Sequence, residues 1–216
     1  MKGETKMVLI VVTGMPGAGS STVVEEALNL KLKGGEESIV FESMNYGDVM
    51  YETALENGLV ANRDEMRTLP GEKQREIQMQ ACKKISKMSE STNLIVDTHC
   101  TIKTPLGYLP GLPEQVLREL KPDQFVLIEA TAEEIAARRQ KDKTRERDVE
   151  AESSIEEHQF MNRAMSMAYA CLTGAAVKLI GNHDGGLDKA AEEFFVLMNR
   201  LSKSEPQEQN HEISRD

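Results

Sequence analysis

The chain has 216 residues, 39% hydrophobic and 29% charged, which fits one globular domain with room for an insertion and excludes a fibrous or wholly disordered protein. A net charge of -10 repels polyphosphate backbones, so a nucleic-acid partner is not expected, and a site for small anions must be assembled from local Arg and Lys. Three cysteines, Cys82, Cys100 and Cys171, are odd in number and form no CxxC pair, which argues against a disulfide framework or zinc site and for a reducing compartment.

Lys2 and Lys6 precede a short apolar run, Met7–Val12, that is too brief for a signal segment or a membrane span, so a cytoplasmic protein without membrane association is expected. That run leads into the first predicted strand, Val8–Thr13. Immediately after it stands Gly14-Met15-Pro16-Gly17-Ala18-Gly19-Ser20-Ser21-Thr22, and then a predicted helix over Ser21–Lys33. Strand, glycine loop and helix together make a phosphate cradle: glycines let the backbone turn with positive φ, consecutive N–H groups point inward, and the helix N-terminus adds free donors. Measured against GxxxxGK[ST], Ser20 takes the lysine position and Ser21 the hydroxyl position that ligates Mg²⁺. The plain alternative is a glycine turn followed by a capped helix. Without the lysine, phosphoryl transfer requires positive charge from elsewhere in the chain.

A weaker strand is predicted over Ser38–Glu42, then helices over Gly47–Glu56 and Glu72–Ser89. Leu94–Asp97 is an apolar strand ending in a carboxylate, the place where such folds carry an Asp for Mg²⁺. His99 follows; a lone histidine is more often a hydrogen-bonding group than a catalyst. Lys103 is positioned to reach a phosphate from the same loop. Strand Gln124–Glu129 and helix Ala132–Arg139 come next, then Gln140–Ser154, rich in charge and poor in apolar residues, read as an exposed lid. Helix Ile155–Leu172, strand Ala176–Ile180 and helix Leu187–Leu201 complete the order, and the tail 202–216 reads as disordered. Nearly continuous apolar strands alternating with helices predict a doubly wound parallel sheet buried on both faces. Arg138, Arg139, Arg145, Arg147 and Arg163 cluster around the lid and supply the charge that the loop lacks, although mixed Arg/Glu/Asp runs are commonly solvated surface.

Five segments, Thr13–Thr22, Met44–Met50, Arg63–Leu69, Val96–Pro113 and Glu156–Lys178, resemble the archaeal-type adenylate kinases, a branch of the P-loop nucleoside monophosphate kinases. The resemblance runs from about Val8 to Leu201. It is most specific in Val96-Asp97-Thr98-His99, Gly107-Tyr108-Leu109-Pro110-Gly111-Leu112-Pro113 and Glu157-His158-Gln159-Phe160-Met161-Asn162-Arg163. It implies an α/β P-loop fold over 1–201 with a five-stranded parallel sheet, a small lid at about 140–154, a trimer, and transfer of phosphate from Mg·ATP to AMP. Gly14–Thr22 and Asn182 would bind ATP, with Asn182-His183-Asp184-Gly185 bordering the donor adenine, and Ser21 and Asp97 would hold Mg²⁺. Asn45, Gly47, Arg67, His99, Lys103 and Tyr108 would serve AMP, and Arg138, Arg145, Arg147 and Lys103 catalysis. Cys100 stands where the family pattern suggests Ser. The rival readings are a kinase for CMP, UMP or shikimate, a nucleotide-binding switch or scaffold without transfer activity, and a purely structural α/β domain.

Overall fold

The structure, a computed structural model, describes residues 7–33, 40–141 and 151–203. Five parallel strands form the central sheet in the order β2-β3-β1-β6-β7: β1 (Leu9–Gly14), β2 (Phe41–Asn45), β3 (Asn93–Thr98), β6 (Gln124–Glu129) and β7 (Ala176–Gly181). A two-stranded antiparallel hairpin, β4 (Thr101–Thr104) with β5 (Gly107–Pro110), stands beyond the end of β3. The helices are α1 (Ser20–Lys33), α2 (Tyr46–Glu56), α3 (Gly71–Ser89), α4 (Glu114–Leu120), α5 (Ala132–Lys141), α6 (Glu152–Thr173) and α7 (Leu187–Lys203).

The continuous apolar runs have a simple cause. Alternate side chains of a strand point to opposite faces, and both faces here are covered. Ile10 and Val12 of β1 pack with Val23, Val24 and Ala27 of α1 and Phe194 and Met198 of α7. Leu9 and Val11 face the other layer, against Ala81, Cys82 and Ile85 of α3, Val116, Leu117 and Leu120 of α4, and Tyr169 of α6. Phe125 and Phe194, one in each layer, are almost wholly buried, each worth about 1.5–3 kcal/mol of transfer free energy. This agrees with the doubly wound sheet expected from the strand runs.

Several elements differ from expectation. β2 runs over Phe41–Asn45, past the expected end at Glu42, while residues 38 and 39 lie outside the described ones; it is an edge strand with a single buried side chain, Phe41. The hairpin and α4 were not anticipated. The hairpin's strands are four residues each, mostly exposed and joined by a turn at Pro105-Leu106, and α4 has seven residues, too few to show a helical period. α7 runs through Lys203, two residues into the expected tail. Of the expected lid, 140–154, residues 140–141 belong to α5 and 152–154 to α6, and 142–150, Arg145 and Arg147 included, lie outside the described residues.

β1 is where the winding reverses, with β3 and β2 on one side and β6 and β7 on the other. Ligands of open α/β sheets bind beyond the strand ends at such a point. The ends of β1 and β3 are in register there: Val12 pairs with Asp97, and Thr13 with Thr98.

Candidate active site

The glycine loop leaves β1 at Gly14 and turns into α1 at Ser20. Gly17 and Gly19 have φ of 99° and 87°, a region that L side chains enter only at a cost. Gly19 has a second constraint, because a Cβ there would lie 2.6 Å from the Asn182 amide nitrogen. That amide donates to the Ala18 carbonyl at 2.8 Å. Asn182, from the loop after β7, therefore holds the turn of the glycine loop from behind.

Ser21 Oγ donates to Asp97 Oδ2 at 2.5 Å, and Ser20 Oγ reaches Asp97 Oδ1 at a weak 3.4 Å. Burial pushes the Asp97 carboxyl above its ordinary range, and the Ser21 hydroxyl and the nearby His99 partly offset this. A half-desolvated carboxylate beside a hydroxyl is a pair of hard oxygen donors suited to a cation that keeps most of its other ligands as water and phosphate, as Mg²⁺ does. Among the described residues no cluster of three His, Cys, Asp or Glu could hold a metal by itself.

A cavity of about 1000 Å³ opens beside this pair, walled by Ser21, Asn45, Asp48, Arg63, Arg67, Asp97 and His99 among others. Asn45 caps α2 by accepting from Gly47 N at 2.9 Å and Asp48 N at 3.3 Å. Gly47 leaves room for the guanidinium of Arg63, 3.4 Å from where a Cβ would sit. Arg63 is ion-paired with Asp48, whereas Arg67, at the end of the 3₁₀ turn Asp64–Arg67, makes no ion pair among the described residues. The structure thus brings together Ser21, Asp97, Asn45, His99 and Arg67 around one cavity, with Gly47 next to Asn45 and Asp48 but not in its wall.

Lys103 and Tyr108 stand elsewhere. They face each other across the hairpin, with Lys103 Nζ 5.7 Å from the Tyr108 ring centre and hydrogen-bonded to Ser154 at the start of α6. The Tyr108 ring meets His158 edge-on at 5.0 Å. Neither lines the cavity.

Arg138 lies against the outside of the glycine loop. Its Nε and Nη2 donate to Asp184 Oδ1 at 3.0 and 2.7 Å, its Nη2 to Asn182 O at 2.9 Å, and its Nη1 more weakly to the Gly17 and Ala18 carbonyls. Arg139 Nε donates to Pro16 O at 2.6 Å. Both arginines engage loop carbonyls. Arg163 forms a two-pronged pair with Glu129 at 2.7 Å on each arm.

Sequence reasoning missed two features of this region. Glu134 ties the start of α5 to the Asn182–Gly185 loop, a link across 50 residues. Its only local signal is the Thr131-x-x-Glu134 spacing of a capping box. Gly111 touches the backbone of His99 so closely that an added Cβ would lie 1.8 Å from its carbonyl oxygen.

An AAA domain family model matches residues 13–156. The chain is 56% identical over 192 residues to the adenylate kinase of Methanothermobacter thermautotrophicus, covering 89% of this chain and 100% of that one. It is 57% identical over 195 residues to the adenylate kinase of Methanopyrus kandleri, covering 89% and 98%, and 52% identical over 190 residues to that of Methanocaldococcus jannaschii, covering 88% and 97%. Two solved shikimate kinases share the fold at a TM-score of 0.50. The one from Bacteroides thetaiotaomicron is 12% identical, covering 89% of this chain and 99% of that one; the one from Acinetobacter baumannii, in complex with shikimate, is 16% identical, covering 93% and 97%.

Proposed function

The chain belongs to the adenylate kinase family, and we infer from this and from the site that it moves the γ-phosphoryl group of ATP to AMP, reversibly, giving two ADP. The observation that carries the reading is that Ser21 of the glycine loop, Asp97 at the end of β3 and Arg67 share the wall of one cavity. A donor phosphate on the loop amides and an acceptor phosphate on Arg67 then lie on either side of one carboxylate.

The roles follow from the groups present. Amides of Gly14–Thr22 hold the donor phosphates, with Asn182 bracing the turn. Ser21 and Asp97 would hold Mg²⁺, which would offset the charge of the transferring phosphates. Arg67 takes the acceptor phosphate, with Asn45 and His99 in the neighbouring wall and Gly47 beside Asn45 at the start of α2. The phosphate of AMP is already ionised at neutral pH and needs no base. Lys103 and Tyr108, on the hairpin that borders α6, are assigned to the acceptor by the family resemblance and stand outside the cavity wall. Arg138 steadies the donor side, and Arg145 and Arg147 cover the phosphoryl group in flight and exclude water. Positioning and electrostatics of this kind supply on the order of 10 kcal/mol.

Arg67→Ala is expected to raise the KM for AMP by about 10- to 100-fold, the worth of a lost charge-assisted bond to phosphate. The KM for ATP should stay within about threefold. Equal loss for both nucleotides in initial-rate assays would contradict the assignment of Arg67 to the acceptor.

Cytoplasmic residence and a homotrimer complete the reading. Among the described residues no helix is long and apolar enough to cross a membrane, and the three cysteines are free. The outer face of α6 is apolar, with Phe160, Met167 and Leu172 each more than half exposed, which supports burial against other copies. Light scattering should return three times 24.1 kDa; a monomer mass would remove this part.

The experiment that tests the activity is incubation with Mg·ATP and each nucleoside monophosphate in turn, with diphosphates read by chromatography. AMP should give ADP as the sole diphosphate, two per ATP consumed. Turnover of CMP or UMP in preference to AMP would point to another acceptor, and binding without any transfer to a nucleotide switch.

A further inference from the structure

α5 opens with a capping box. Glu134 N donates to Thr131 Oγ1 at 3.2 Å, and Thr131 N donates back to Glu134 Oε2 at 2.8 Å. A capping glutamate on a helix surface has then done its local work. Here the same carboxylate also accepts from Asp184 N at 2.7 Å through Oε1 and lies 3.0 Å from His183 Nδ1 through Oε2. Its side chain is only 18% exposed. The Asp184 amide, chief among these contacts, holds the carboxyl down to about 2. The connection continues: Asp184 Oδ1 receives Arg138, Arg138 also donates to Asn182 O, and Asn182 holds the glycine loop at Ala18.

We propose that Glu134 is a positioning residue for the donor nucleotide: it fastens the Asn182–Gly185 loop to the N-terminus of α5 at the place where that loop borders the donor base. This rests on the reading of that loop as the donor-adenine wall. Glu134 does not line the cavity beside Asp97, and its carboxylate acts through Asp184 and His183. The five-residue link Asn182–Gly186 between β7 and α7 closes one turn of its own, Gly186 N to His183 O at 2.8 Å, and the contacts from Glu134 and Arg138 outside it set where that turn sits.

Three variants test the proposal in initial-rate assays with each substrate varied. Glu134→Gln keeps the shape and removes the charge; the KM for ATP should rise about tenfold, with kcat and the KM for AMP within about twofold. Thr131→Ala removes the other half of the capping box and leaves the Glu134–Asp184 bond; it should lower the melting temperature much as Glu134→Gln does, yet leave the KM for ATP within about twofold. A purely structural capping role predicts that the two variants act alike in every readout, and that result would overturn the proposal, as would a rise in both KM values together. Asn182→Ala separates the two layers of the argument. If it raises the KM for ATP while Glu134→Gln does not, the donor loop is rightly placed and Glu134 does not position it. If neither variant moves that KM, the reading of the loop falls as well.

Discussion

Asp97→Asn is expected to cut turnover by about a thousandfold while leaving the melting temperature equal or higher. The substitution is nearly isosteric, and the amide oxygen can still accept from Ser21 Oγ, which now sits 2.5 Å from the carboxylate. It loses the negative charge that helps to organise a divalent cation at the phosphates, and removal of one preorganised electrostatic group at a reacting centre costs about 3–4 kcal/mol. The stability effect has the opposite sign for a clear reason. Burial raises the Asp97 carboxyl above its ordinary value, so the folded chain holds that charge at a cost. A neutral side chain removes the cost, as is common where a residue is kept for activity rather than for the fold. A coupled ADP assay beside a thermal melt reads both quantities. Retention of more than a tenth of wild-type turnover would show that Asp97 does not organise the metal.

Gly111→Ala should be the most damaging single methyl in the described chain. Its new Cβ would lie 1.8 Å from the His99 carbonyl oxygen and 2.8 Å from the carbonyl carbon. No side-chain rotation relieves a collision with backbone. The alternative, moving Gly111 away, breaks its N–H bond to Cys100 O at 2.8 Å and disturbs Tyr169, whose hydroxyl bridges Cys100 O and Leu112 N at 2.8 and 3.1 Å. Overlap of this severity falls at the upper end of single-substitution effects, about 4–5 kcal/mol, or a loss of roughly 10 °C or more for a chain of this size. Gly58→Ala is the control: its φ is 66° but nothing lies within 4 Å of its Cβ, so only backbone strain of about 1 kcal/mol applies. A melting loss for Gly111→Ala no greater than that of Gly58→Ala would mean that the contact gives way freely. The close approach also sets where His99 stands beside Asp97, so activity should fall with stability.

Much of the core was legible because burial on both faces writes strands as unbroken apolar runs, as in β1, β3 and β6. The edge strands β2 and β7 each bury a single side chain, Phe41 and Ile180; β7 was still legible from its β-branched run, whereas β2 ends at Asn45, three residues beyond the expected Glu42. The hairpin and α4 are too short and too exposed for a period to show. In the site, the glycine loop and Asp97 were legible because their chemistry lies in contiguous residues at the end of a strand. Lys103 was expected at the acceptor phosphate, but in the structure its register partner Tyr108 and the neighbouring Ser154 hold it over the hairpin. Glu134 with Asp184, Arg63 with Asp48 and Gly111 against His99 are tertiary meetings, and no pattern along the chain announces them. Arg145 and Arg147, on which the lid reading rests, lie outside the described residues.

The central claim is that two nucleotides bind on either side of Asp97, one on backbone amides without a loop lysine and one on Arg67. Titration with a bisubstrate dinucleotide, two adenosines joined by a five-phosphate chain, tests it most directly by calorimetry and competition. One molecule per chain should bind, displaced by ATP and by AMP alike, and Arg67→Ala should weaken it while leaving ATP affinity intact. Displacement by ATP alone, with no effect of Arg67→Ala, would contradict a paired site.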